Sequence, residues 1–162
     1  MRAWLRHPRV ALAARLVLGL VFVAAALPKL ADPPGFAKAI WAYGLIPAWG
    51  LHPLALVLPW LELFCGLALC LGFWVRAAAL WTGALLLSFC LALGFNLARR
   101  HPVDCGCFGA SAPKTEAERL ADMRWLLLRD AGLLLLVAQL LATTRTNQTA
   151  SRHRGKEKGT GK

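Results

Sequence analysis

The sequence predicts an all-α polytopic membrane protein, a bundle of four transmembrane helices with an outer Cys-Gly-Cys loop. Hydrophobic residues make up 58% of the 162 residues and charged residues only 17%, so water alone is a poor solvent for this chain. The apolar residues also form long blocks rather than the half-polar periods of amphipathic helices. Because the backbone in lipid must satisfy its own hydrogen bonds, and the short alternating segments of a barrel are absent, each block is expected to be a helix.

Each of the four apolar blocks has roughly the 17 to 25 residues that cross the hydrocarbon layer as a helix. They run from Val10 to Leu27, from Leu51 to Leu71, from Ala77 to Leu97 and from Trp125 to Leu141. Residues 1–142 therefore form the predicted transmembrane domain. Residues 143–162 contain almost no apolar side chain to bury, and we expect a disordered basic tail there.

The basic residues behind the formal net charge of +11 lie in the two tails and between the apolar blocks, without a basic stripe interleaved with aromatic residues, so no nucleic-acid partner is expected. Basic segments beside membrane helices mark the cytoplasmic side. We therefore expect a multi-pass protein of a bacterial-type inner or plasma membrane, with both termini cytoplasmic and the connections 28–50 and 98–124 outside. In an alternative interpretation, residues 1–26 are a cleavable signal peptide, although their apolar run is long for one.

A few polar side chains lie inside the predicted helices, where lipid makes them costly. Glu62 falls near the middle of the bilayer, so it must point into the bundle and either stay protonated or pair with a cation such as Lys29 or Arg129. It is either a proton-handling or ligand-binding acid or a polar contact that fixes helix packing. Arg129 with Asp130 indicates a structural ion pair or snorkelling, and Asn96 a structural hydrogen bond between helices.

The most specific chemical motif is the segment Cys105-Gly106-Cys107, directly after the third predicted helix. A thiol pair in a polar loop has no core to fill, and an oxidising compartment favours disulfide chemistry. A disulfide between positions i and i+2 would be strained and easily reduced, which suits a carrier of disulfides. Two alternatives stay open: a structural disulfide with another cysteine or a partner, and a metal site that recruits His101 and Asp104.

Several short motifs, taken together and in order, resemble the methylamine utilisation protein MauE family within the wider DoxX-like membrane proteins. These motifs are Arg15, Phe22 to Leu30, Phe36, Ala39-Ile40, Tyr43, Leu45-Ile46-Pro47, Leu58 to Leu63 and Asp104 to Gly109. The resemblance implies a four-helix membrane bundle that helps to mature, process or export the disulfide-rich small subunit of periplasmic methylamine dehydrogenase. Lys29, Glu62, Cys105 and Cys107 match the family pattern, whereas the basic tail after Arg145 is extra to it.

These observations favour a membrane thiol-disulfide protein that passes redox equivalents to an extracytoplasmic client through Cys105 and Cys107. Whether it is an enzyme, as a thiol-disulfide oxidoreductase would be, is left open. One alternative is a non-enzymatic membrane scaffold for maturation. The other is a small transporter or quinone-binding protein that uses Lys29 and Glu62. No cofactor is evident in the sequence, and a membrane quinone is the one cofactor that this chemistry suggests. Motifs of hydrolases and nucleotide-binding proteins are absent.

Overall fold

Five helices form the structure, a computed structural model that describes residues 8–99 and 115–159, and no strand occurs in these two ranges. They are α1 (Pro8–Ala31), α2 (Pro33–Ala42), α3 (Ala48–Leu71), α4 (Val75–Ala98) and α5 (Glu116–Gly159). All except α2 contain a segment long and apolar enough to cross a membrane. The predicted all-α bundle with four membrane helices is confirmed. The Cys-Gly-Cys loop that belongs to that prediction lies outside the described residues.

The fourth membrane helix begins at Glu116, well before the predicted start at Trp125. The reason is a reciprocal cap in which the backbone N–H of Thr115 donates to Glu118 Oε2 over 2.8 Å. In return, the Glu118 N–H donates to Thr115 Oγ1 over 3.4 Å. This capping box satisfies backbone donors that a helix start otherwise leaves free. Charged residues such as Asp122 therefore continue the helix instead of belonging to a loop.

The helix α2 is a short element that the apolar blocks did not predict. The Asp32 side chain caps its start by accepting from the Gly35 N–H over 3.0 Å, and two prolines occupy its first turn, where a missing N–H costs nothing. Phe36 and Ile40 on one face pack against Ala55 of α3. This contact with α3 is what stabilises so short a helix.

Beyond the membrane span, which ends at Thr144, α5 continues as a helix to Gly159. The disordered basic tail that the composition predicts for residues 143–162 stays a prediction. Adding residues to an existing helix needs no new nucleus, so α5 extends even though these residues have little apolar surface to bury. The extension leaves the bundle at the end where α1 begins, which we call the tail end. The opposite end, where α4 ends and α5 begins, is the loop end.

The helices α1 and α3 approach each other closely at two glycines, Gly19 and Gly66. A Cβ atom at Gly66 would lie 2.9 Å from the Gly19 carbonyl oxygen and 3.0 Å from the Val23 backbone nitrogen. Likewise, a Cβ atom at Gly19 would lie 2.8 Å from the Gly66 carbonyl oxygen. Small residues at such a crossing bring helices together in membranes, where van der Waals contact replaces the hydrophobic effect. This contact sets the register of α1 against α3.

Replacing Gly66 by alanine should destabilise the bundle by about 1–3 kcal/mol, because rigid backbone atoms meet the added methyl group. The matched control is Gly94→Ala in α4, since a Cβ atom at Gly94 meets nothing within 4 Å. Thermal unfolding of the purified protein in detergent should show a lower Tm for Gly66→Ala and an unchanged or higher Tm for Gly94→Ala. Equal Tm values for both variants would mean that the Gly19–Gly66 contact does not hold the helices together.

The four membrane helices form a closed ring. The contacts between α1 and α3 and between α4 and α5 are the most extensive, and those of α3 with α4 and α1 with α5 complete the ring. The main core cluster draws fully buried side chains such as Leu18, Leu69 and Ala79 from different helices. Because each helix also leaves a large apolar face exposed, as Leu20, Phe64 and Leu135 illustrate, the outer surface suits lipid contact. The centre of the ring is consequently enclosed by all four helices.

Candidate functional site

Lys29 and Glu62 form a buried ion pair between α1 and α3. The Lys29 Nζ atom lies 2.7 Å from Glu62 Oε1 and 2.6 Å from Oε2, so one ammonium group bridges both carboxylate oxygens. The side chains are only 4% and 13% exposed. The Phe36 ring of α2 covers the ammonium group, with its centroid 5.1 Å from Nζ, in a cation–π contact. The pair therefore satisfies two charges that lipid could not solvate.

The helix geometry explains why these two residues meet. Lys29 lies in the last turn of α1, and side chains on a helix lean towards its N-terminus, so the lysine points back into the bundle. At about 1.5 Å per residue, Glu62 is roughly 21 Å from the start of α3 and roughly 14 Å from its end. The end of α1 thus lies near the middle of α3, and α2 packs beside the first half of α3 instead.

Arg129 and Asp130 form a second ion pair, within α5. Arg129 donates from Nε to Asp130 Oδ1 over 3.0 Å, and its NH2 group lies 2.9 Å from the same oxygen. Asp130 is almost completely buried at 1% exposure, whereas the Arg129 side chain is 29% exposed. The arginine therefore keeps one edge of its guanidinium near the surface while it neutralises a carboxylate inside the bundle.

A cavity of about 50 Å³ lies at the centre of the ring and contains both ion pairs in its wall. Each of the four membrane helices contributes to this central cavity. Its lining residues are Val21, Phe22, Ala25, Lys29, Glu62, Leu85, Leu86, Phe89, Arg129, Asp130 and Leu133. Two cations and two anions thus face one small space whose remaining wall is apolar.

The helix α2 and the residue that caps its end contact two residues of the cavity wall. Phe36 of α2 lies over Lys29, and the C-cap Tyr43 lies against Phe89, with the Tyr43 and Phe89 ring centroids 6.3 Å apart. Tyr43 also joins Leu93 and Met123 in a buried cluster between α4 and α5. Lys29 and Phe89 are therefore each covered by an aromatic ring from α2 or its cap.

Of the polar residues singled out in the sequence, the structure brings four together and leaves one apart. Lys29, Glu62, Arg129 and Asp130 all line the central cavity. Of the two cations considered for Glu62, the structure pairs it with Lys29, and Arg129 binds Asp130 instead. Asn96 is buried closer to the loop end, and its Nδ2 donates to the Ala92 carbonyl oxygen of the same helix over 3.0 Å.

The cysteine motif falls in the segment 100–114, outside the described residues, so Cys105 and Cys107 stay predictions, as does a metal site with His101 and Asp104. Within residues 8–99 and 115–159, no group of three or more His, Cys, Asp or Glu side chains could hold a metal ion. The cysteines inside the described helices, Cys65, Cys70 and Cys90, are free thiols.

Three features of the site escaped the sequence analysis: the cover formed by α2, the Gly19–Gly66 contact and the central cavity itself. The first had a local signal, because Asp32 followed by two prolines is typical of a helix start. The Gly19–Gly66 contact has a weaker sequence signal, since a glycine within an apolar helix often marks close packing. The cavity has no sequence signal, because its walls come from four segments that are distant in sequence.

Comparison with known proteins identifies the family. Residues 8–143 match the sequence model of the family described as methylamine utilisation protein MauE. The MauE protein of Methylophilus methylotrophus is 36% identical over 139 residues, which cover 85% of this chain and 72% of that protein. The MauE proteins of Methylorubrum extorquens and Paracoccus denitrificans are 38% and 35% identical over 82% and 88% of this chain, and over 69% and 74% of their own length.

No solved structure matches the chain. The wider DoxX-like relationship implied by the resemblance stays a prediction. The family match covers all four membrane helices and the segment with the cysteine motif, and it agrees with a multi-pass bacterial membrane protein. The chain is therefore a member of the MauE family of methylamine utilisation proteins.

Proposed function

We propose that this chain is the membrane component that matures an extracytoplasmic client protein in methylamine utilisation, by thiol-disulfide exchange at Cys105 and Cys107. The observation that carries the proposal is the Cys105-Gly106-Cys107 motif in the connection between two membrane helices, α4 and α5. Thiols in such a connection are accessible to a second protein, unlike thiols packed within helices. The names of the related proteins supply the pathway.

The proposed orientation places the loop end outside the cell. Both chain termini leave the bundle at the tail end, and both terminal segments are rich in arginine and lysine. Basic segments beside membrane helices stay in the cytoplasm. With the tail end inside, the connection 99–115 and helix α2 face the extracytoplasmic compartment, where disulfides persist.

In the proposed exchange, the Cys105–Cys107 disulfide oxidises the client. A client thiolate attacks one loop sulfur, which forms a mixed disulfide and releases the other loop sulfur as a thiolate. A second client thiolate then attacks the mixed disulfide, so the client gains one disulfide and the loop becomes a dithiol. The loop receives two electrons and two protons in all. A membrane quinone that takes up these two electrons and two protons and becomes a quinol would restore the loop disulfide.

Trapping of the mixed disulfide tests this proposal. With Cys107 changed to serine, the Cys105 thiolate can attack a disulfide of the oxidised client in the reverse of this exchange, which releases one client sulfur as a thiolate. No second loop thiol can then resolve the mixed disulfide, so a covalent complex with the client should accumulate and disappear on reduction. The matched control is Cys90→Ser, which removes a thiol from the interior of α4 and should leave trapping unchanged. If neither Cys107→Ser nor Cys105→Ser yields a complex, the chain acts as a scaffold and the exchange chemistry is rejected.

Labelling from outside the cell tests the orientation separately. A membrane-impermeant maleimide should react with Cys105 or Cys107 in intact, reduced cells. Cys65, which is buried in α3, should stay unlabelled under the same conditions. Reaction of the loop thiols only after the cytoplasm is opened would reverse the proposed topology.

A second candidate function is an intramembrane ligand site, as in a small transporter or a quinone-binding protein. The observation in its favour is the Lys29–Glu62 pair, which faces a cavity instead of being packed solidly. The double variant Lys29→Met with Glu62→Leu removes both charges without leaving either one buried alone. Client maturation should fall in this variant if the site serves the reaction, and should stay at the wild-type level if the pair only stabilises the fold.

A further inference from the structure

One carboxylate oxygen of Asp130 is left without a protein donor. The two contacts that Arg129 makes with Asp130 end on Oδ1, and within the described residues no hydrogen bond to Oδ2 is seen. The Asp130 side chain is only 1% exposed and lines the central cavity, so the cavity is the space from which a donor can reach it. A carboxylate oxygen that is cut off from bulk water gains from a hydrogen-bond donor inside the cavity.

A donor lies in the wall of the same cavity, on the neighbouring helix α1. Two of the three N–H groups of Lys29 are used by the Glu62 oxygens, which leaves one N–H for a further acceptor. The lysine is also near enough to Asp130 for the two charges to attract each other. The cavity therefore has a hydrogen-bond donor and a hydrogen-bond acceptor that its own protein groups do not use.

The charge balance decides what kind of molecule fits. Lys29 and Arg129 contribute two positive charges, and Glu62 and Asp130 contribute two negative ones. An added ion of either sign would leave an uncompensated charge in a space of low dielectric, which is unfavourable. An uncharged group is therefore favoured, and an oxygen that carries a hydrogen both accepts from Lys29 and donates to Asp130.

The volume sets the size of that group. Since one water needs about 10–15 Å³ of such space, a cavity of about 50 Å³ holds a few waters or the hydroxyl end of one larger molecule. The rings of Phe22 and Phe89 and the side chain of Leu133 complete the wall, which suits an apolar body behind the hydroxyl.

We propose that the central cavity binds an uncharged hydroxyl oxygen, of water or of a quinol, between Lys29 Nζ and Asp130 Oδ2. This hydroxyl group is the ligand chemistry of the second candidate function, on which the proposal rests. Its tests are independent of the thiol exchange, because neither of them involves the client or the loop cysteines.

The first test is infrared difference spectroscopy of the full-length protein in ordinary water and in water labelled with oxygen-18. Only the O–H band of a bound water shifts on this exchange, because protein N–H groups contain no exchangeable oxygen. A band from water in the cavity should appear in the wild type and be shifted or lost in Asp130→Asn. The control Asp122→Asn changes an exposed carboxylate of the same helix and should leave the band unchanged.

The second test uses a benzoquinol without an isoprenoid tail, added to the purified protein in lipid nanodiscs. If the oxygen belongs to a quinol, the compound should raise the Tm of the wild type and of Asp122→Asn, and raise that of Asp130→Asn less. A labelled-water band without a Tm rise identifies water as the occupant. A Tm rise assigns the site to the quinol.

A further variant keeps the proposal testable if Asp130→Asn does not fold. Ala25→Leu retains all four charges and fills the cavity from its apolar wall, so it should abolish both the water band and the Tm rise. The proposal is overturned if the wild type shows neither signal, since the cavity is then dry and closed. It is equally overturned if Asp130→Asn and Ala25→Leu give the same signals as the wild type.

Discussion

Glu62→Leu alone is expected to lower the free energy of unfolding by about 3–5 kcal/mol, because it leaves the Lys29 ammonium buried without its counter-ion. Lys29→Met should have a comparable effect by leaving the Glu62 carboxylate alone. The double variant Lys29→Met with Glu62→Leu removes both charges and replaces them by apolar groups of similar size. Its stability should return close to that of the wild type, since the cost of burying the charges disappears as well.

The measurement is a double-mutant cycle from denaturant unfolding of the detergent-solubilised protein. Lys38→Met is the matched control, because Lys38 is exposed on α2 and its loss should change stability by less than about 0.5 kcal/mol. If the double variant loses as much free energy of unfolding as the two single variants lose together, the two charges have no interaction energy. The contact between α1 and α3 would then need another explanation.

Changing both Cys105 and Cys107 to serine is expected to abolish client maturation while the chain still accumulates in the membrane. Serine is close to cysteine in size but cannot form a disulfide, so no redox equivalents reach the client. The readout is the fraction of client that carries its native disulfides, measured in cells whose sole copy of this protein is the variant.

Cys65→Ala is the matched control for this experiment, since the Cys65 thiol packs inside α3 and carries no role in the exchange. Full maturation with the double serine variant would favour the scaffold function instead. Partial maturation that is restored by a small oxidant added from outside would support the exchange, because the oxidant replaces the missing loop disulfide.

The sequence predicted the four membrane helices because each must supply about 20 apolar residues to cross the hydrocarbon, and such blocks are visible without any tertiary information. It did not predict α2, whose ten residues are too few to form a stable helix without packing on α3. The apolar block predicts too late a start for α5, because the helix begins with charged residues that follow the Thr115 and Glu118 cap.

The sequence predicts the residues of the site because charged side chains are rare inside membrane helices. Lipid cannot solvate a charge, so Lys29, Glu62, Arg129 and Asp130 stood out against the apolar helices. The sequence does not predict which cation pairs with Glu62, because this pairing depends on the register of α1 against α3. That register is set by the backbone contact at Gly19 and Gly66, which no property of the charged residues encodes.

The Gly19–Gly66 contact also bears on how the protein moves. Because their backbones touch at Gly19 and Gly66, we expect α1 and α3 to move together, and both residues of the Lys29–Glu62 ion pair belong to these two helices. The other ion pair is internal to α5. A sliding motion of α1 and α3 together against α4 and α5 would therefore break neither ion pair and would change only the distance between them. The central cavity could then widen while each buried charge keeps its counter-ion.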